Sequence, residues 1–253
     1  MKVARDVWLM FGRFTMQMAR NPVWLFVGFS TPILYLALFT PLLNHLAGSP
    51  GLPKGNVIDI FLPGILSLLA FSSGIGPGFS VVFEMRAGVT ERFRVTPASR
   101  LALLVGPIIS SMLLMLLFDA VVVVVAVVFG FQVHLAGLLV LGILLCLLGT
   151  VVAAFSTATA LVTKDINSFA AIVNGLNLPV LLLAGVLLPI SLGPSWMRAA
   201  AHFDPLYYVV VASRVLAGGV FAGSQVWQAF AVLVPTCAAM LTWATWVFRR
   251  AVA

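Results

Sequence analysis

Charge is scarce in this 253-residue chain: Asp, Glu, Lys and Arg make up 8% of it, against 62% hydrophobic residues. A soluble domain carries about 25% charged and about 45–50% apolar residues, so the deficit excludes a water-soluble globular protein. A mean hydropathy of +1.16 over the whole length also excludes a soluble domain hung on a single anchor. Cysteine is limited to Cys146 and Cys237, both in apolar runs, which excludes a disulfide framework and a thiolate metal site. The three histidines, His45, His134 and His202, form no HExxH pattern and have no neighbouring acid; they read as outer-interface residues, not metal ligands. No serine has a His and Asp set at hand, so hydrolase chemistry has no footing. Lys2, Lys54 and Lys164 are the only lysines, and none sits in a GxxxxGK[ST] phosphate loop. This chain is therefore expected to bind no ATP, cofactor or metal itself, and not to be an enzyme. No internal repeat of the kind common in secondary transporters is visible.

What remains is a succession of apolar runs: Pro22 to Leu43, Ile60 to Phe83, Leu101 to Phe129, Leu138 to Val162, Phe169 to Ile190 and Val226 to Phe248. Their lengths suit membrane-crossing helices, and the expected fold is an all-α integral membrane protein of six spans within a single transmembrane domain, 1–253. Residues 1–21 lack the long apolar core and small-residue cleavage site of a secretory signal. Val3, Val7, Met10, Phe11, Phe14 and Met18 recur at three- and four-residue steps opposite Lys2, Asp6, Arg13, Gln17 and Arg20, the pattern of an amphipathic interfacial helix. Asn21-Pro22 ends it. Residues 191–225 are too long for a turn and too apolar for a solvated loop. They are expected to form one or two short helices re-entering the outer leaflet, with a seventh span as the alternative.

Orientation follows from the basic residues. With the amino terminus inside, Lys2, Arg5, Arg13, Arg20, Arg86, Arg92, Arg94, Arg100, Lys164, Arg249 and Arg250 fall on the cytoplasmic side; Lys54, Arg198 and Arg214 stay outside. That is a clear positive-inside bias. It places both termini in the cytoplasm and explains the excess of 14 bases over 7 acids without nucleic acid as a partner.

The segment 84–100 is denser in charge than a connecting loop requires. Glu84, Arg86, Glu91, Arg92 and Arg94 surround Val89 and Phe93, and Thr96-Pro97 stops the segment before the next run. A solvated inside loop is the plainer reading, and a short charged helix presenting an aromatic knob to a partner is the sharper one. Here the chain resembles a known family. Glu84-x-Arg86-x-Gly88-x-x-Glu91-Arg92-x-x-x-Thr96-Pro97-x-Ser99-Arg100, followed by Gly106, is similar to the cytoplasmic loop of the type-2 ABC transporter permeases, in the drug- and antibiotic-exporter branch. Leu187-Leu188-Pro189, Trp196, Asp204-Pro205-Leu206-Tyr207-Tyr208 and Arg214 resemble that family's pattern after the fifth span, while Pro107 stands where many members have a basic residue.

The resemblance implies a permease subunit in the cytoplasmic (inner) membrane that exports a lipophilic drug, antibiotic or lipid-like compound. Its partners would be a separate ATP-binding cassette subunit, carrying ATP and Mg, and a second permease copy or related permease, in contact with membrane lipid. The coupling residues would be Glu84, Arg86, Gly88, Glu91, Arg92, Phe93, Arg94, Thr96 and Pro97, with residues 1–21 as a second contact. Aromatic anchors within charged rims suit such docking. Rival readings are a permease for polysaccharide or glycolipid and an ATP-independent secondary transporter or channel.

Candidates for the translocation path are polar or small residues within apolar runs. Asn167, Asn174 and Asn177 share one face of the fifth run, either lining a path or bonding between helices. Ser72 and Ser73 precede Gly74, Gly76, Pro77 and Gly78, a stretch that serves as a gate or as close packing. Asp119 lies inside the third run, where an acid faces water or the bundle interior. It serves there as a structural hydrogen-bonding group or in handling substrate or protons.

Overall fold

The computed structural model describes residues 2–20, 22–44, 57–88, 100–186, 190, 193–221 and 223–252, and the regular structure among them is helical throughout. Nine helices appear among the described residues: α1 Lys2–Ala19, α2 Pro22–Asn44, α3 Val57–Arg86, α4 Arg100–Val128, α5 Leu135–Thr163, α6 Ile166–Leu183, α7 Ser195–Ala201, α8 Pro205–Ala217 and α9 Ser224–Val252. Five hold stretches long and apolar enough to cross a membrane: Phe61–Arg86, Val105–Val128, Leu135–Thr163, Ile166–Leu183 and Ser224–Arg250. Even the shortest, 18 residues, reaches roughly 27 Å at about 1.5 Å per residue, near the thickness of a hydrocarbon core.

The helix α5 is the hub, packing against α3, α4, α6, α8 and α9 and buried at intervals from Gly137 to Leu161. Small residues make that density possible, because helices in lipid gain contact only when their backbones approach closely. A Cβ on Gly74 of α3 would stand 2.6 Å from Val152 Cβ and 2.7 Å from the Gly149 carbonyl of α5. One turn on, Ser156 Oγ of α5 donates to the Ile75 carbonyl at 2.9 Å. The serine- and glycine-rich stretch is thus no interruption of α3, which runs continuously through it.

The amino-terminal helix packs along α4. Thr15 Oγ1 donates to Ser110 Oγ (3.3 Å), which donates to the Phe11 carbonyl at 3.1 Å. Phe14 is buried, while Trp8 and Leu9 stay exposed. Between α5 and α6 the chain turns in two residues. Lys164, at φ 53°, closes α5 with its N–H on the Ala160 carbonyl, and Asp165 caps α6 by accepting from the Ser168 N–H at 2.9 Å.

The expected fifth run ends earlier than hydropathy suggests. Helix α6 stops at Leu183, and the chain turns at Gly185, φ 68°, because the carbonyls freed there are held from another helix. Arg214 Nη2 of α8 donates to the Gly185 carbonyl at 2.7 Å. Gly64 of α3, without a Cβ, leaves room for the Val186 carbonyl. Beyond that turn lie two short helices, α7 and α8. The second is buried at Leu206, Val209, Val210, Ala212, Ser213, Leu216 and Ala217 against α3, α5 and α9.

Candidate functional site

Two ion pairs fasten the base of the charged segment. Arg13 of α1 meets Glu84 near the end of α3 at 3.1 Å. Arg86 meets Asp165 at the α5–α6 corner at 2.5 Å. The Ser168 backbone N–H is the largest influence holding the Asp165 carboxyl below the ordinary carboxylate range; desolvation opposes it, and the Ser168 hydroxyl and Arg86 guanidinium reinforce it. The second clamp therefore holds at neutral pH and is lost only as pH falls through the lowered value. Gly88, at φ 67°, ends the described part of the segment in a left-handed turn that favours glycine. Thus Glu84 and Arg86, read from sequence as contacts for a partner, are engaged within the chain. Glu91, Arg92, Phe93, Arg94, Thr96 and Pro97 lie outside the described residues.

The Arg13–Glu84 pair is partly exposed, so its net stabilisation is only about 0.5–1 kcal/mol, but it ties α1 to the end of α3. Glu84→Arg is expected to free α1, seen as faster amide hydrogen exchange across 8–16. The double change Arg13→Glu with Glu84→Arg should restore protection; single and double variants exchanging alike would show that the pair does not position the helix.

The path candidates differ in exposure. Ser72 is exposed and Ser73 half-buried on α3; Asn167 and Asn174 are exposed on α6, and Asn177 is half-buried with its Oδ1 enclosed. Asp119 is buried on α4 near Cys146 of α5, and neither carboxylate oxygen has a hydrogen-bond partner among the described residues. No hydrogen bond among the described residues joins one of these side chains to another.

A different group converges. A cavity of about 260 Å³ lies between α3, α5, α6 and α9, walled by residues such as Phe71, Ile75, Val151, Phe155, Val173 and Met240 and closed at one side by Asp204, Pro205 and Leu206. Phe71 is near the middle of α3, Val151 of α5 and Met240 of α9, so the tip of the α7–α8 hairpin reaches the mid-depth of the bundle. His202, read from sequence as an outer-interface residue, is exposed and lies two residues from Asp204 at this tip. There Tyr208 Oη donates to the His202 carbonyl at 3.2 Å. Asp204 caps α8 through Oδ1, which accepts from the Leu206 N–H at 2.9 Å, with Pro205 preset at the first helical position. Its other oxygen, Oδ2, is buried without a partner among the described residues. Sequence reasoning named Asp204 only within a family pattern. The available signal was an acid at a helix cap inside an apolar stretch, with no base within nine residues on its carboxyl side.

Residues 5–217 match the model of a family described as ABC-2 type transporter. The protein named as a transport permease, ycf38, of Cyanophora paradoxa is 27% identical over 214 residues, covering 84% of this chain and 74% of that protein. The daunorubicin resistance ABC transporter permease protein DrrB1 of Streptomyces coeruleorubidus is 24% identical over 190 residues, 74% of this chain and 66% of its own length. The ycf38 permease of Porphyra purpurea is 21% identical over 217 residues, 85% of this chain and 75% of that protein.

Proposed function

This chain belongs to the ABC-2 type transporter family, as the membrane subunit of an ABC transporter, and on that premise we propose that it exports a lipophilic compound across the cytoplasmic (inner) membrane. Members of this family work in general with an ATP-binding cassette subunit. That subunit docks on the 84–100 segment, with α1 as a second contact, and ATP with Mg on it supplies the free energy. A second permease copy or related permease completes the path, in contact with membrane lipid. The helix α2, 23 residues without a charged side chain, is the sixth span, roughly 35 Å long. Six spans put both termini in the cytoplasm and leave the α7–α8 hairpin re-entrant from outside; the amphipathic pattern of α1 makes it interfacial.

The observation that carries this reading is the pair of clamps Arg13–Glu84 and Arg86–Asp165. They tie the start of the charged segment to α1 and to the α5–α6 corner, so a push on the segment moves three helices together. Likeness to a permease named for daunorubicin resistance supports a drug-like cargo.

Purification in mild detergent from the native membrane tests the proposal. An ATP-hydrolysing subunit should co-purify in stoichiometric amount. Phe93→Ala and Glu91→Arg should lower cargo-stimulated ATP hydrolysis about tenfold or more while the chain still inserts and pairs. A chain that purifies alone under several mild conditions, or unaltered stimulation in both variants, would refute the coupling scheme.

A further inference from the structure

The mid-depth cavity has a chemistry of its own. Its volume, about 260 Å³, equals the liquid share of about nine waters, yet a water needs two to four polar partners to stay. The wall offers almost none. Ser156 Oγ is engaged with the Ile75 carbonyl and Thr236 Oγ1 with the Val232 carbonyl at 2.7 Å, which leaves Asp204 Oδ2 as the polar atom without a partner. Asp204 is 9% exposed, and its Oδ2 is itself buried beside the cavity.

Burial opposes ionisation of this carboxyl, while the positive end of α8 and the bond from the Leu206 N–H favour it. A buried anion requires a cation or a full set of donors. No cationic side chain among the described residues pairs with it. Arg214 stands at the far end of the same helix on the Gly185 carbonyl. The Nδ1 of His202 is 3.5 Å from Tyr208 Oη.

We propose that the cavity is a binding slot for an amphiphile carrying a protonated amine, its apolar body among Phe71, Ile75, Val151, Phe155 and Val173 and its ammonium on Asp204 Oδ2. A neutral lipid chain fills the volume but leaves the carboxylate unmatched, and an anionic headgroup is repelled by it. The cation makes a charge-assisted hydrogen bond in a site of low dielectric. That this amphiphile is the exported cargo rests on the exporter reading; that it binds here does not.

Photolabelling separates the two. The chain, as purified from its membrane with whatever subunit accompanies it, is placed in lipid nanodiscs. It is exposed to a diazirine-bearing decylamine and, separately, to the matching decanol. The amine should label the α5 and α6 peptides holding Val151 and Val173 at least tenfold more strongly than the alcohol. Asp204→Asn should abolish that preference and leave alcohol labelling unchanged. Asparagine is as good a helix cap as aspartate, so α8 stays formed. Val151→Phe, which fills the slot, should suppress labelling by both. Equal labelling by the two probes, or amine labelling that survives Val151→Phe, overturns the proposal in favour of a lipid-filled groove or a site elsewhere. Should Asp204→Asn fail to fold, the amine-to-alcohol ratio and the Val151→Phe response decide alone. Failure of the exporter reading would appear separately, as a missing ATP-binding subunit.

Discussion

Gly78→Ala is expected to destabilise the bundle by about 3 kcal/mol, at the upper end of what overpacking costs. A Cβ there would meet Ser156 Oγ, stand 2.5 Å from the Phe169 ring and 2.8 Å from the Ser156 carbonyl. Two of these three contacts belong to α5 and the third to α6, so no rotation of α3 relieves all of them. Ser156 is fixed by its bond to the Ile75 carbonyl, and Phe169 is fully buried edge-on to Phe79, ring centroids 4.8 Å apart. Combining Gly78→Ala with Gly74→Ala should leave no folded chain in detergent. Gly76→Ala is the control on the same helix, since nothing lies within 4 Å of its Cβ position. It should be neutral or slightly stabilising, because alanine is the better helix former by about 1 kcal/mol. Thermal unfolding of the three variants settles the matter; equal stabilities of the Gly76 and Gly78 variants would mean that the close approach at Gly78 does not set the cost.

The second large effect is expected at Arg214. Its half-buried guanidinium donates to the Gly185 carbonyl at 2.7 Å and reaches the Val186 carbonyl at 3.4 Å. It thereby fastens the α7–α8 hairpin to the end of α6. Arg214→Leu removes a charged donor and leaves those carbonyls short of one, a loss of about 2–3 kcal/mol. In a chain of this size that corresponds to a fall in Tm of roughly 5–10 °C. Arg214→Lys should lose less, since an ammonium still reaches one carbonyl but cannot fork between two. The loss should be local as well as global. Amide exchange should rise across α7, α8 and the 184–186 turn before it rises in α5, and uniform exchange would show that Arg214 stabilises the fold without fastening the hairpin.

Much of the architecture was legible in the residue pattern. The runs Ile60 to Phe83, Leu101 to Phe129 and Val226 to Phe248 lie within or nearly coincide with α3, α4 and α9, because hydropathy over about twenty residues reports the length of a spanning helix directly. The segment 191–225 was legible as short helices, and two are present. The end of α6 was not legible. Nothing local distinguishes Val186 from Leu183; the helix stops where a guanidinium 29 residues away takes the Gly185 carbonyl. The candidate site was read least well. Polar residues in apolar runs mark candidates, but a sequence alone does not disclose which helix each face meets: Asn167, Asn174 and Ser72 are exposed, whereas Asp119 is buried.

By itself, then, the sequence determined the solvent in which this protein folds and the stretches long and apolar enough to cross it. These are sums over neighbouring residues, and lipid imposes them before any helix meets another. The tertiary structure alone decided that Glu84 and Arg86 engage Arg13 and Asp165 within the chain. It also decided that Asp204 stands level with Phe71, Val151 and Met240 beside a cavity. Those contacts join residues tens of positions apart, and they exist because small side chains at Gly74, Gly78 and Gly149 let α3 and α5 close on each other, leaving the hairpin to fill only part of the space beside them.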